Sequence, residues 1–369
     1  MLEIRGRCAV AKIYADVVEE SAMSQIYNML NCVVFENCKI VIMPDVHTGN
    51  GAVVGTVAEF RDRIIPRMLG VDLGCGMTSY NLGALKKFNL EHLDEFIRRN
   101  IPLGSAIHKK ALDDTNEFEA LAKKTKQKYD NVLNSLGTLG GGNHFIELGK
   151  DSDDSYWLTI HSGSRNFGFK VAMYYIDLAY KESHGSAGSF NGMEFLNGDQ
   201  LLEYINAVEV AVRYASLNRE LIGKIIINNF FKMRYHKLPV INAPHNYIQK
   251  DIIHKGSISA KVDELVVIPW NMRDGLIIAK GKGNAEWLES APHGAGRIMS
   301  RKDAKESIPM HDFRQSMEGI FTTSVSANTV DESPMAYKNP TIIQELIKDT
   351  VEVISVVKPI YNVKAGENI

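Results

Sequence analysis

The longest regular pattern in this chain, from about residue 199 to 232, restricts the possible folds more than any other feature. Leu201, Ile205, Val208, Val212 and Ala215 recur at three- and four-residue steps and lay one apolar stripe along a helix. Such a helix is scaffold, and its charged positions are expected to face away from the stripe. Residues 39–43, KIVIM, and 51–58, GAVVGTVA, read as short strands rich in β-branched residues and joined by a polar turn. Residues 89–100 open on Asn89 as a cap and keep a helical period, and 114–134 reads as a second, mostly solvated helix. A strand at 156–161 stops at Ser-Gly-Ser. Further strands are expected at 250–259, 263–269 and 275–281, and a last amphipathic helix at about 340–357. Helices and short strands mix without a βαβ rhythm, so the expected fold is α+β, a single large irregular mixed domain over residues 1–369. The turns at 150–155 and 184–189 read as surface loops.

Composition excludes more than it assigns. With 369 residues, 45% hydrophobic and 23% charged, the chain can bury a large core. No apolar run approaches the roughly 18 residues a membrane span needs, and the start, MLEIRGR, has no signal-peptide stretch. The four cysteines, Cys8, Cys32, Cys38 and Cys75, have no regular spacing, which predicts free thiols and a cytoplasmic setting. A net charge of −2 argues against bulk attraction to nucleic acid but allows a local basic groove.

The chemistry collects in turns. MPDVHTGNG carries Asp45 and His47, and VDLGCGM carries Asp72 and Cys75. GTLGGGNHFIE carries Asn143, His144 and Glu147; HSGSR carries His161 and Arg165; APHNY carries His245 and Asn246; PHGAGR carries His293 and Arg297. A lone histidine in a turn is ordinarily a hydrogen-bonded filler. Five of eleven, all in glycine- or proline-marked turns, form a pattern that fits loops aimed at a ligand. His92, His108, His184, His236, His254 and His311 lack that context and read as structural or surface groups. A thiolate at Cys75 can bridge two cations, Asp72 can share one, and imidazoles can complete each site. Ligand softness suggests zinc, so the residue types do not identify the metal. On a strand, His144 and Glu147 would point to opposite faces, which frees Glu147 to hold a polar ligand edge. His293, followed by small residues and Arg297, is a candidate nucleophile or acid–base group beside a phosphate. A helix starting at HGAGR would also turn backbone N–H groups toward an anion.

These blocks, with GKGNAE, MSR, DESPMAYKN and VKPIYNVK in the same order, resemble the RtcB family of RNA-splicing ligases over nearly the whole chain. The resemblance implies an enzyme that joins RNA 2′,3′-cyclic phosphate or 3′-phosphate ends to 5′-hydroxyl ends with GTP and Mn²⁺. It implies Asp72, Cys75, His144, His161 and His245 as ligands of two Mn²⁺ ions, with Cys75 bridging. Asp72 and His144 would serve one ion, His161 and His245 the other. His293 would become covalently guanylylated, with Asp45 orienting a histidine of the site. Guanylate contacts would come from Asn143, His144, Phe145, Ile146, Glu147, His245, Asn246, Pro269, Trp270, Asn271, Met272, Leu276, the backbone of Gly294, Ala295 and Gly296, and Tyr337 and Lys364. Arg165, Arg297 and Arg301 would clamp RNA phosphates. The implied partners are such RNA ends and an activating protein, the implied assembly a monomer, and the implied location the cytoplasm.

Three departures from the family pattern stand out. Trp270 replaces a glycine in Pro269–Arg273, Leu276 replaces a serine, and His245 follows Pro244. The chain is also trimmed near 100–137 and 245–256. A two-metal RNA-end phosphodiesterase without GTP, or a non-catalytic RNA-binding relative, is the alternative. The first leaves His293 and Lys364 without a task, and the second leaves an intact HGAGR unexplained. No Lys-x-Asp-Gly occurs, which excludes a lysine-nucleophile ligase.

Overall fold

The computed structural model describes residues 1–185 and 192–365, so part of the 184–189 loop expectation lies outside the described residues. Two sheets organise an α+β molecule. The six-stranded sheet runs Leu2–Arg5, Val10–Ile13, Lys39–His47, Val54–Glu59, Ile252–Lys255, Asn246–Gln249. The seven-stranded sheet runs Val240–Pro244, Gly76–Gly83, Tyr156–Ser162, Phe145–Lys150, Val351–Lys364, Gly275–Gly281, Leu265–Asn271. Neighbours are antiparallel except Val10–Ile13 with Lys39–His47. No helix among the described residues is long and apolar enough to cross a membrane. The four cysteines are free.

The predicted scaffold helix spans Gly198–Asn229 and packs on helix Arg165–Ser183 and on strands of the seven-stranded sheet. Leu201, Val208 and Ala215 are buried and Ile205 and Val212 partly so, as the stripe requires. One charged position breaks the expectation. Arg219 is fully buried and donates to the carbonyls of Gly74 (3.0 Å) and Ser162 (2.9 Å), to Thr78 Oγ1 (3.0 Å) and to Asn242 Oδ1 (2.8 Å). Burial pulls its guanidinium down to about 10. It ties the helix to the Asp72–Cys75 turn. That turn lies so close to the helix that a Cβ on Gly74 would come within 2.7 Å of Val212 Cα, at a φ of +71°. Only glycine fits there.

Other elements shift for local reasons. The Asn89 cap is present, accepting from the His92 N–H at 3.0 Å to start helix Leu90–Asn100. The expected 114–134 helix is two, Glu119–Lys124 and Tyr129–Asn134. Thr125 Oγ1 bonds back to the Leu121 carbonyl and Lys126 turns left-handed, which breaks the run. The expected 250–259 strand divides at Gly256 (φ +63°), and Ser257–Ser259 pairs instead with Ser290–Pro292. The expected 340–357 helix ends at Leu346, and Val351–Lys364 is a strand. Its β-branched Val351 and Val357 are buried where the strand pairs with Gly275–Gly281, and that packing outweighs a helical reading. This strand carries a bulge at Ile360, between Pro359 opposite Gly149 and Tyr361 opposite Leu148.

Candidate active site and metal centre

Three adjacent strands bring the predicted ligands together. His161 lies near the end of Tyr156–Ser162, opposite both Met77 and Phe145. Cys75 and His144 immediately precede the flanking strands. The result is a tight group: Cys75 Sγ lies 3.2 Å from His161 Nε2 and 3.5 Å from His144 Nε2, and His144 Nε2 lies 3.1 Å from Asp72 Oδ2. The His245 N–H donates to the Cys75 carbonyl (2.8 Å), and its ring centroid is 5.1 Å from that of His161.

The donor chemistry fits a cation. His144 Nδ1 is 3.0 Å from the Leu139 carbonyl and His161 Nδ1 is 3.1 Å from that of Asn143, so both donate there and leave Nε2 a lone pair. Those nitrogens converge on a sulfur and a carboxylate oxygen, the donor types that hold a divalent cation. His245 Nδ1 is buried with no partner among the described residues. Burial drives His161 and His245 well below the ordinary histidine range, so both are neutral. Burial, then the Asp72 charge, pushes the Cys75 thiol up. Burial favours a neutral Asp72, but the neighbouring His144 outweighs it and holds the carboxyl well below the usual range. Cys75, His144 and His161 form the cluster of potential ligands that lie within 4.8 Å of one another. A divalent ion would convert Cys75 to a thiolate and satisfy the facing lone pairs.

His293 meets this group across one cavity of about 870 Å³, which Asp72, Cys75, His161, His245 and His293 all line. Its ring centroid is 4.6 Å from that of His245. Its Nδ1 donates to Asp45 Oδ2 at 2.7 Å, and Asp45 is fully buried. Asp45 is fixed from both sides. Lys338 Nζ donates to the Pro44 and Val46 carbonyls at 2.9 Å each, and a Cβ on Gly296 (φ +76°) would come within 2.3 Å of the Asp45 carbonyl. Helix Arg301–Ser307 starts only at its Ser300 cap, so the anticipated helix N-terminus does not reach His293.

The opposite wall comes from two paired strands. Phe145, Glu147 and Lys364 line the cavity, with Asn143, Asn246, Pro269, Trp270, Asn271, Met272, Tyr337 and the Gly294–Gly296 backbone. Burial raises Glu147 to about 8. Behind this wall Glu332 is buried against Lys364 Nζ (2.6 Å), Tyr337 Oη (2.7 Å) and Arg301 Nη1 (2.8 Å). Burial opposes its charge, but Lys364, Arg301 and Arg297 outweigh that and bring Glu332 down to about 2. Glu332→Gln should therefore destabilise the fold by roughly 3–5 kcal/mol, because it leaves buried cations unpaired. Denaturant unfolding reads this directly, and an unchanged midpoint would refute it.

The chain is similar to known proteins over most of its length. The tRNA-splicing ligase RtcB family matches residues 25–365. The chain is 32% identical to the RNA-splicing ligase RtcB of Escherichia coli K12, over 94% of this chain and 95% of that one. The chain belongs to the RtcB family. It is also 26% identical to an E. coli RNA-splicing ligase RtcB2 (89% of this chain, 88% of that one) and 24% identical to the tRNA-splicing ligase RtcB of Thermococcus kodakarensis (84% and 83%).

Against the RtcB pattern, some predicted residues sit elsewhere. Ile146 is fully buried in the core on the far side of its strand, and Leu276 packs into another core cluster; neither lines the cavity. Arg165 donates to Thr138 Oγ1 (3.2 Å) and the Gly104 carbonyl (2.9 Å) and is also absent from the lining. Arg297 and Arg301 do line it, but Asp331 and Glu332 already engage them. Trp270, read from the sequence as replacing a glycine of the family pattern, is almost wholly buried within the wall. Glu332, Lys338, Arg219 and Asn362 were not singled out from the sequence. Two of them lie inside the DESPMAYKN block, where a paired Asp331-Glu332 beside a buried apolar run was the available signal.

Proposed function

We propose that this RtcB-family chain is an RNA ligase that seals 3′-phosphate or 2′,3′-cyclic phosphate ends to 5′-hydroxyl ends, using GTP through a guanylylated His293. The observation that carries this reading is the Asp45–His293 pair facing the ligand cluster across one cavity. With Nδ1–H donated to Asp45, Nε2 holds the free lone pair of a neutral imidazole. That nitrogen bonds to the GTP α-phosphorus as the bond to the β-phosphate oxygen breaks and pyrophosphate leaves. Asp45 offsets the positive charge that grows on the ring. Asp72, Cys75, His144, His161 and His245 would hold divalent ions, manganese in this reading, which supply charge neutralisation to phosphates in the cavity. A cyclic RNA end is first opened by hydrolysis. An oxygen of the RNA 3′-phosphate then takes the guanylyl group from Nε2, and the 5′-hydroxyl displaces GMP. The physiological setting would be RNA repair or tRNA splicing in the cytoplasm.

The test is covalent transfer of label from α-labelled GTP to the chain with Mn²⁺, giving an acid-labile, alkali-stable phosphoramidate. No label defeats the reading. Asp45→Asn should leave the fold intact yet slow labelling by about 10²- to 10⁴-fold, since the ring loses its fixed tautomer and its counter-charge. Single-turnover labelling measures this, and a wild-type rate would remove Asp45 from the mechanism.

A further inference from the structure

The cavity wall holds two acceptors that no described residue satisfies. Glu147 and Asn362 are direct partners across strands Phe145–Lys150 and Val351–Lys364, and both line the cavity. They are 4% and 1% exposed, and Glu147 Oε1 and Asn362 Oδ1 are buried without a hydrogen-bond partner. Asn362 Nδ2 donates to the Met272 carbonyl at 2.9 Å, which fixes the amide and leaves only its oxygen free. The next pair along the same face, Phe145 opposite Lys364, adds an aromatic ring and an ammonium. Intervening residues Ile146, Leu148, Tyr361 and Val363 all face the core.

Two adjacent buried acceptors call for two adjacent donors. The edge of guanine that carries N1–H and the 2-amino group supplies such a pair, whereas adenine presents only a C2–H where the fixed Asn362 oxygen needs a donor. We propose that Asn362 is a specificity-determining residue that accepts a hydrogen bond from the guanine 2-amino group while Glu147 takes the neighbouring ring N–H. This rests on the GTP-dependent reading above and adds to it the residue that separates guanine from hypoxanthine.

The probe pair is α-labelled GTP and inosine triphosphate, which lacks only the 2-amino group, with full-length protein and Mn²⁺. Wild-type labelling should favour GTP by about 10- to 100-fold in rate over KM, the range for a buried polar group left unpaired. Asn362→Leu should bring GTP down to the inosine triphosphate level while inosine triphosphate labelling stays within about threefold, which also certifies the fold. Asn362→Ser, smaller and less disruptive, should move the ratio the same way. Equal use of both nucleotides by the wild type, or a ratio unchanged in the variants, or equal losses with both nucleotides, overturns the assignment of Asn362. No labelling by either nucleotide instead removes the GTP reading, and the inference with it.

Discussion

Alanine in place of His293 is expected to abolish covalent labelling by α-labelled GTP, a loss of at least about 10³-fold. The argument is one of tautomer and position. His161 and His245 also line the cavity and are neutral, but they belong to the Cys75 cluster, and His161 Nε2 is directed at the sulfur. His47 reaches the cavity as well, but its Nδ1 contacts the backbone carbonyl of Asp45 at 2.9 Å, whereas the Asp45 carboxylate is bonded to His293. His293 alone among the cavity histidines combines a carboxylate-bound Nδ1 with an Nε2 free of a protein partner. The variant should still bind metal and keep its denaturant midpoint. Undiminished label in His293→Ala would move the nucleophile elsewhere and end the mechanism.

Cys75→Ala should weaken Mn²⁺ binding by at least about 100-fold and remove labelling with it. The reason lies in the proton balance. Burial and Asp72 hold the Cys75 thiol protonated at neutral pH, so an ion that binds the sulfur must expel that proton. Affinity should then rise about tenfold per pH unit below the raised thiol pKa, since one proton leaves per sulfur engaged. Titration calorimetry in two buffers of different ionisation heat would record about one proton released from the wild type and none from the variant. A variant that binds Mn²⁺ with wild-type affinity and the same proton release would show that the sulfur is not a ligand.

Much of the site was legible before any coordinates because its groups sit in turns whose glycines mark close approach. Asp72, Cys75, His144, His161, His245 and His293 are each within or beside such a turn, and the structure brings them together. What resisted reading was whatever depends on which face of an element is dry. Ile146 and Leu276 were assigned to the nucleotide site through the family resemblance, but strand alternation turns Ile146 into the core, and Leu276 is packed inside another core cluster. Helix Arg165–Ser183 went unpredicted because its start carries no capping signal: Ser164 Oγ bonds the Leu73 carbonyl instead, and Arg165 begins in the left-handed region. Arg219 looked like solvent-facing charge because nothing in its own segment announces the carbonyls of Gly74 and Ser162 that it serves.

Ile360 is the one unpaired position in the stretch of the last strand that faces Phe145–Lys150, and it acts as a phase shifter. Upstream and downstream of it the odd and even side chains exchange sides. Were Ile360 instead paired with Leu148 in a ladder without the bulge, Tyr361 and Val363 would swing toward the cavity and Asn362 and Lys364 into oil. The chemical character of an entire wall is thus set by a count of one.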